Sequence, residues 1–135
     1  MTAPAEPRTG ALDGVTVLDF SRVLAGPYCT MQLGDLGAEI VKVENPKGGD
    51  DSRAFRPPAM GDESSYFLAI NRNKKSIALN ISTPEGQQVA RDLATRADVV
   101  VENFSAGIMQ RFGLDYERLT ASNPGLIYCS ISGYG

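Results

Sequence analysis

Histidine is absent from the 135 residues, and cysteine occurs only twice, at Cys29 and Cys129. Without histidine there is no Ser-His or Cys-His pair to activate a nucleophile. The commonest metal ligand is also gone, which sets zinc chemistry aside. The two cysteines stand far apart and form no disulfide framework, so reduced thiols in a cytoplasmic protein are the expectation. No apolar run approaches the roughly 18 to 20 residues that span a bilayer. A formal net charge of -3 gives no broad basic field, so neither nucleic acid nor an anionic membrane is an expected partner. There is no GxGxxG fingerprint and no P-loop, so neither NAD nor ATP is directly indicated.

What is present is an ordinary globular composition, 42% hydrophobic and 21% charged, of a length that suits one domain with a real core. The opening MTAPAEPRTG lacks an apolar stretch and reads as part of a flexible leader over residues 1–11, not as a secretory signal. From residue 12 to 135, short strands alternate with helices. Gly14–Phe20 is apolar on both faces, the pattern of a strand covered on both sides. A turn over Ser21–Pro27 leads to a helix opened by Pro27 and closed near Asp35, with Gly34 and Gly37 at its end. Glu39–Glu44 is a second strand, and the two form a right-handed β-α-β unit. Residues 45–65 form a long polar loop. Ser65–Asn71 makes one or two helical turns, and a basic cluster, Arg72, Lys74 and Lys75, precedes a strand over Ser76–Ile81. The clearest helix runs from Ser82 to Ala97. Ser82 and Glu85 suit a capping box, Thr83 before Pro84 is the alternative cap, and Val89, Ala90, Leu93, Ala94 and Ala97 form the apolar stripe. A strand at Asp98–Glu102, helices at Ala106–Phe112 and Asp115–Ser122, and a strand at Leu126–Ile131 follow. The expected fold is α/β, a Rossmann-like doubly wound and mostly parallel sheet.

Ligands of such sheets bind beyond the carboxyl ends of the strands. Ser21 to Gly26 and Glu102 to Gly107 are therefore the turns to inspect. Small residues in the first turn admit a ligand to the backbone, and a tight turn with nothing bound is the alternative. Asn103 brings donors and an acceptor to a strand end. Phe104 either stacks on a base or packs into the core. Arg111, two helical turns on, would reach a phosphate or stay solvated. Asp50, Asp51 and Asp62 match no metal-binding loop. Asp19 fits a turn-capping role. Cys29 falls in the first turn of the predicted helix, where the dipole would lower a thiol pKa; with no base beside it, a packed thiol is the alternative.

Taken together, several stretches resemble CoA-transferase family III, the CaiB/BaiF group that includes formyl-CoA transferase and α-methylacyl-CoA racemase. They are Asp19 to Pro27, Gly34 to Glu39, Asn71 to Ser76, Thr83 to Gly86, Val101 to Phe104 and Ser132 to Gly135. The resemblance implies an acyl-CoA site and no permanently bound cofactor. It places Val23, Leu24 and Ala25 along the pantetheine and thioester, and Leu79, Asn80, Ile81 and Ser82 beside the adenosine. Asn103, Phe104, Ser105 and Arg111 would flank the nucleotide and its phosphates. One departure is Asn45, where the formyl-CoA branch has an arginine on the nucleotide; Lys47 is the nearby substitute. The family's nucleophilic aspartate lies beyond its Gly-Tyr-Gly motif, hence downstream of Gly135, and no aspartate here takes that role. The chain is thus expected to be the N-terminal part of a larger, interlocked homodimeric enzyme and inactive alone. The implied reaction moves CoA between carboxylic acids through an aspartyl-CoA intermediate, with a dicarboxylic acid such as glutarate as acceptor. A 2-methylacyl-CoA racemase on the same fold and a non-catalytic CoA-binding module are the alternatives.

Overall fold

Apolar residues on both sides of β1 (Thr16–Asp19) are explained by its place at the centre of the sheet in the computed structural model, which describes residues 10–134. Most of the expected leader, and Gly135, lie outside those residues. In chain order the further elements are α1 (Ala25–Asp35), β2 (Glu39–Glu44), a 3-10 turn (Asp51–Ala54), β3 (Ala59–Met60), β4 (Glu63–Ser64) and α2 (Ser65–Ile70). Then come β5 (Lys74–Ala78), α3 (Pro84–Ala94), β6 (Val99–Glu102), α4 (Ile108–Phe112), α5 (Tyr116–Ser122) and β7 (Ile127–Ser130). Five strands form one parallel sheet in the order β5-β2-β1-β6-β7, while β3 and β4 make a small antiparallel hairpin. The order grows outward in both directions from β1, as a doubly wound sheet requires.

Side chains alternate along β1, so each face of the sheet receives its own core. Leu18 and Phe20 point to one face, where they pack with Val43, Val100, Ala90 and Ala94 of α3, Met109 of α4 and Leu119 of α5. Val17 points to the other, with Ala38, Ile40 and Val101, under Leu33 of α1. Small residues let α3 sit close: Gly86, Ala90 and Ala94 are its buried positions. Of the expected stripe, Ala90, Ala94 and Ala97 are buried and Leu93 packs against the core, while Val89 is left 41% exposed.

Other differences from the sequence reading have local causes. The helix starts at Ala25, so Pro27 is its third residue, where a missing N–H still costs nothing. The cap of α3 is Thr83, whose hydroxyl accepts the Gly86 N–H; Ser82 instead bonds to the Asn80 side chain. β5 starts at Lys74, two residues early, drawing in Lys74 and Lys75 of the basic cluster. The long loop holds the 3-10 turn and the hairpin, and Asp50 caps the former by accepting the Ser52 N–H.

Candidate functional site

The carboxyl ends of β1, β2, β5 and β6 all open on one side of the five-stranded sheet, because its strands are all parallel. A cleft of about 350 Å³ lies there. One wall is Leu79, Asn80, Ile81 and Ser82 after β5; the other is Phe104, Ser105, Ile108 and Phe112 after β6. Phe20, Val43 and Glu44 form its floor, with Arg22 and Asn45 at the rim. The Asn80 carboxamide oxygen accepts from the Ser82 N–H at 3.1 Å and its hydroxyl at 2.6 Å, which turns the chain sharply into α3. Phe104 packs on the core with one edge and carries the Arg22 guanidinium 4.7 Å from its ring centroid.

Asn103 does not line this cleft. Its side chain clamps the β1–α1 turn, accepting the Arg22 N–H and donating to the Arg22 carbonyl, both at 2.8 Å. Val23, next along, has a φ of 68°, and its N–H points to the Asp50 carboxylate at 3.2 and 3.3 Å. Leu24 and Ala25 are exposed at the start of α1 beside this clamp. Gly26 is required there, since a Cβ would stand 2.1 Å from the Ser21 Cβ. Arg111 lies in a separate, open hollow with Arg91 and Arg118, which adjoins the cleft through the shared residue Phe112. Lys47 is exposed and lines no wall of the cleft; its N–H donates to the Asn45 side chain at 2.9 Å.

Beneath the turn lies a buried polar layer that sequence reasoning missed. Lys42 on β2 is 2.9 Å from Asp50, and both side chains are essentially inaccessible. Lys42 also donates to the Ser21 carbonyl at 2.8 Å. Lys74 lies 3.3 Å from Asp19 and donates to the Pro27 carbonyl at 2.8 Å and to Asn71 at 3.0 Å. Asp19 accepts from the Ser21 N–H and hydroxyl and from Thr30. Burial pulls the Lys74 ammonium down to about 8, with Asp19 opposing. Burial alone would raise the Asp50 carboxyl, but the Lys42 hydrogen bond and charge outweigh it and hold it below the usual range. Glu44 behaves alike: desolvation raises it, yet Arg53, Ser76 and the Asp50 N–H bring it to about 2.

The basic residues are paired: Lys74 is buried on Asp19, Arg72 pairs with Asp35 at 2.6 Å, and Lys75 pairs with Glu39 at 2.6 Å. Cys29 is the fifth residue of α1, beyond the first turn, and burial followed by the nearby Cys129 and Asp19 raises its thiol pKa. Asp50 is consumed by Lys42, and among the described residues no cluster of acidic or thiol ligands suits a metal.

The model of CoA-transferase family III matches residues 12–135. The chain is 55% identical over 124 residues to the human succinyl-CoA:glutarate CoA-transferase, covering 92% of this chain and 28% of that one. It is 53% identical over 131 residues to a succinyl-CoA:mesaconate CoA-transferase of Haloarcula marismortui, covering 93% and 33%. The crystal structure of a CaiB/BaiF family protein from Brucella suis superposes with a TM-score of 0.89 at 47% identity, over 95% of this chain and 35% of that one. The chain thus spans about a third of the length of the relatives it matches. With nearly all of its residues matched, in motif order and in fold, the chain belongs to CoA-transferase family III.

Proposed function

We propose that this chain forms the CoA-binding wall of an enzyme that transfers coenzyme A from an acyl-CoA such as succinyl-CoA to a carboxylic acid, glutarate or a similar dicarboxylate. CoA enters as a substrate, and no resident cofactor takes part. The adenosine lies between Leu79–Ser82 and Phe104–Ser105, the phosphates run toward Arg111, and the pantetheine and thioester pass over Val23, Leu24 and Ala25 beside Asn103. The observation that carries this reading is the cleft, whose two walls come from the turns after β5 and β6 at the carboxyl edge of the sheet.

The reacting carboxylate is an aspartate outside this chain. It attacks the thioester carbonyl and expels the CoA thiolate to leave a mixed anhydride; the thiolate then attacks the aspartyl carbonyl, releasing the donor acid as its carboxylate and giving an aspartyl-CoA thioester. The acceptor carboxylate attacks that thioester, freeing the thiolate again with a second mixed anhydride, and the thiolate takes the acceptor acyl group to give the new acyl-CoA and restore the aspartate. Covalent catalysis of this kind divides one difficult exchange into easier steps. Asp19 and Asp50 are unsuited to the role because both are buried and already paired with lysines. The whole enzyme acts as a homodimer in the cytoplasm.

Calorimetric titration of the chain with CoA tests the binding reading. Binding is expected, and Phe104→Ala should weaken it about tenfold, since stacking of a base on an aromatic ring contributes about 1 to 3 kcal/mol. No heat at millimolar CoA from a chain with a folded circular dichroism spectrum would sink the reading.

A further inference from the structure

The turn between β1 and α1 is held by side chains from other strands. The Ser21 carbonyl accepts from Lys42, the Arg22 N–H and carbonyl are paired with Asn103, and the Val23 N–H points to Asp50. The Val23 carbonyl accepts no hydrogen bond among the described residues. Four residues on, where a helix would supply the donor, stands Pro27, which has no N–H. Val23 itself sits at a φ of 68°, a left-handed conformation that a β-branched residue adopts only when its surroundings enforce it.

Against this turn stands the Lys42–Asp50 pair, 1% and 0% exposed at their side chains. A buried ion pair is a poor source of stability, because apolar residues of similar volume do as well or better. Apolar residues cannot, however, set a carboxylate beneath one N–H and an ammonium beside one carbonyl of the same turn. We infer that Lys42 and Asp50 are positioning residues that lock the Val23 turn in its left-handed form, fixing where the Val23 carbonyl, Leu24 and Ala25 meet the acyl-thioester end of the CoA substrate. This rests on the reading of the site as a CoA site. Neither residue lines the cleft, so the pair acts through the turn.

The test is the Lys42→Met/Asp50→Leu enzyme at its natural length, with succinyl-CoA and glutarate. The expected variant keeps the circular dichroism spectrum and unfolding midpoint of its parent and a KM for succinyl-CoA within about threefold. Its kcat falls about tenfold or more, because misplacement by about 1 Å near reacting atoms costs up to about a hundredfold. Adding Val23→Gly, for which this φ is unstrained, should restore part of the lost kcat, whereas a merely structural pair predicts further loss. A folded double variant with parental kcat, a triple variant with no recovery, or a double variant that fails to fold overturns the inference. A parental enzyme without transferase activity would instead refute the functional reading. The pair is then judged in the isotope-labelled chain, where the Val23 amide proton should lose its carboxylate-induced downfield shift in Asp50→Leu; an unmoved resonance overturns the positioning role.

Discussion

Replacing Gly86 by alanine should move a wall of the cleft. Gly86 is the third residue of α3, and a Cβ there would stand 1.9 Å from the Asn80 carbonyl oxygen and 2.6 Å from its carbon. Both are backbone atoms of the turn that forms the cleft wall with Ile81 and Ser82. To reach ordinary contact the turn must retreat by roughly 1.5 Å, which breaks the close seat of α3 on the sheet. Overpacking of this kind costs about 3 kcal/mol at the upper end of its usual range. Alanine returns about 1 kcal/mol through helix propensity, leaving a net loss of about 2 kcal/mol. For a domain of this size that is a melting temperature lower by roughly 6 to 10 °C. Thermal unfolding followed by circular dichroism measures the loss, and CoA titration of the folded variant measures the displaced wall. Gly125→Ala is the control, because its Cβ would meet nothing nearer than 4.0 Å. A Gly86→Ala chain that melts at or above the parent and binds CoA equally well would refute the close approach of α3 to Asn80.

Two further measurements probe the frame of the site. Glu44, depressed to about 2 from an ordinary 4.5, contributes stability that is complete above about 4.5 and is lost as the pH falls toward 2. The shift corresponds to about 3 kcal/mol, so Glu44→Gln should flatten the acid limb of a stability–pH profile in that window, and an unchanged slope there would count against the Glu44–Arg53 pair. Thr83→Ala should cost about 1 kcal/mol in urea unfolding through loss of the helix cap, and Ser82→Ala distinctly less; the reverse order would return the cap to Ser82.

The alternation of strands and helices was legible because β1, β2 and β6 carry apolar residues on both faces, and because Thr83-Pro84 and Asp115 mark helix starts by their own chemistry. The turns that form the cleft were legible as strand ends, since a parallel sheet puts all of them on one edge. The polar layer below was not. Nothing in Glu39–Glu44 marks Lys42 as buried, and its partner Asp50 reaches it only because the following loop folds back. Lys74 was concealed in the same way, because Asp19 lies 55 positions earlier in the chain. On α3 the stripe through Ala90, Leu93, Ala94 and Ala97 was legible from its helical period, whereas the outward turn of Val89 was not, because it follows from the close seat of the helix at Gly86.

The central place of β1 also sets a sequence of events during synthesis. One flank of this strand is met by β2, beginning at Glu39, soon after it leaves the ribosome, but the other waits for Val99 of β6, about eighty residues later than Asp19. At about 5 to 20 residues per second the unmatched flank stays open for several seconds. During that interval Val17 and Leu18 are a ready landing place for a chaperone or for a neighbouring nascent chain.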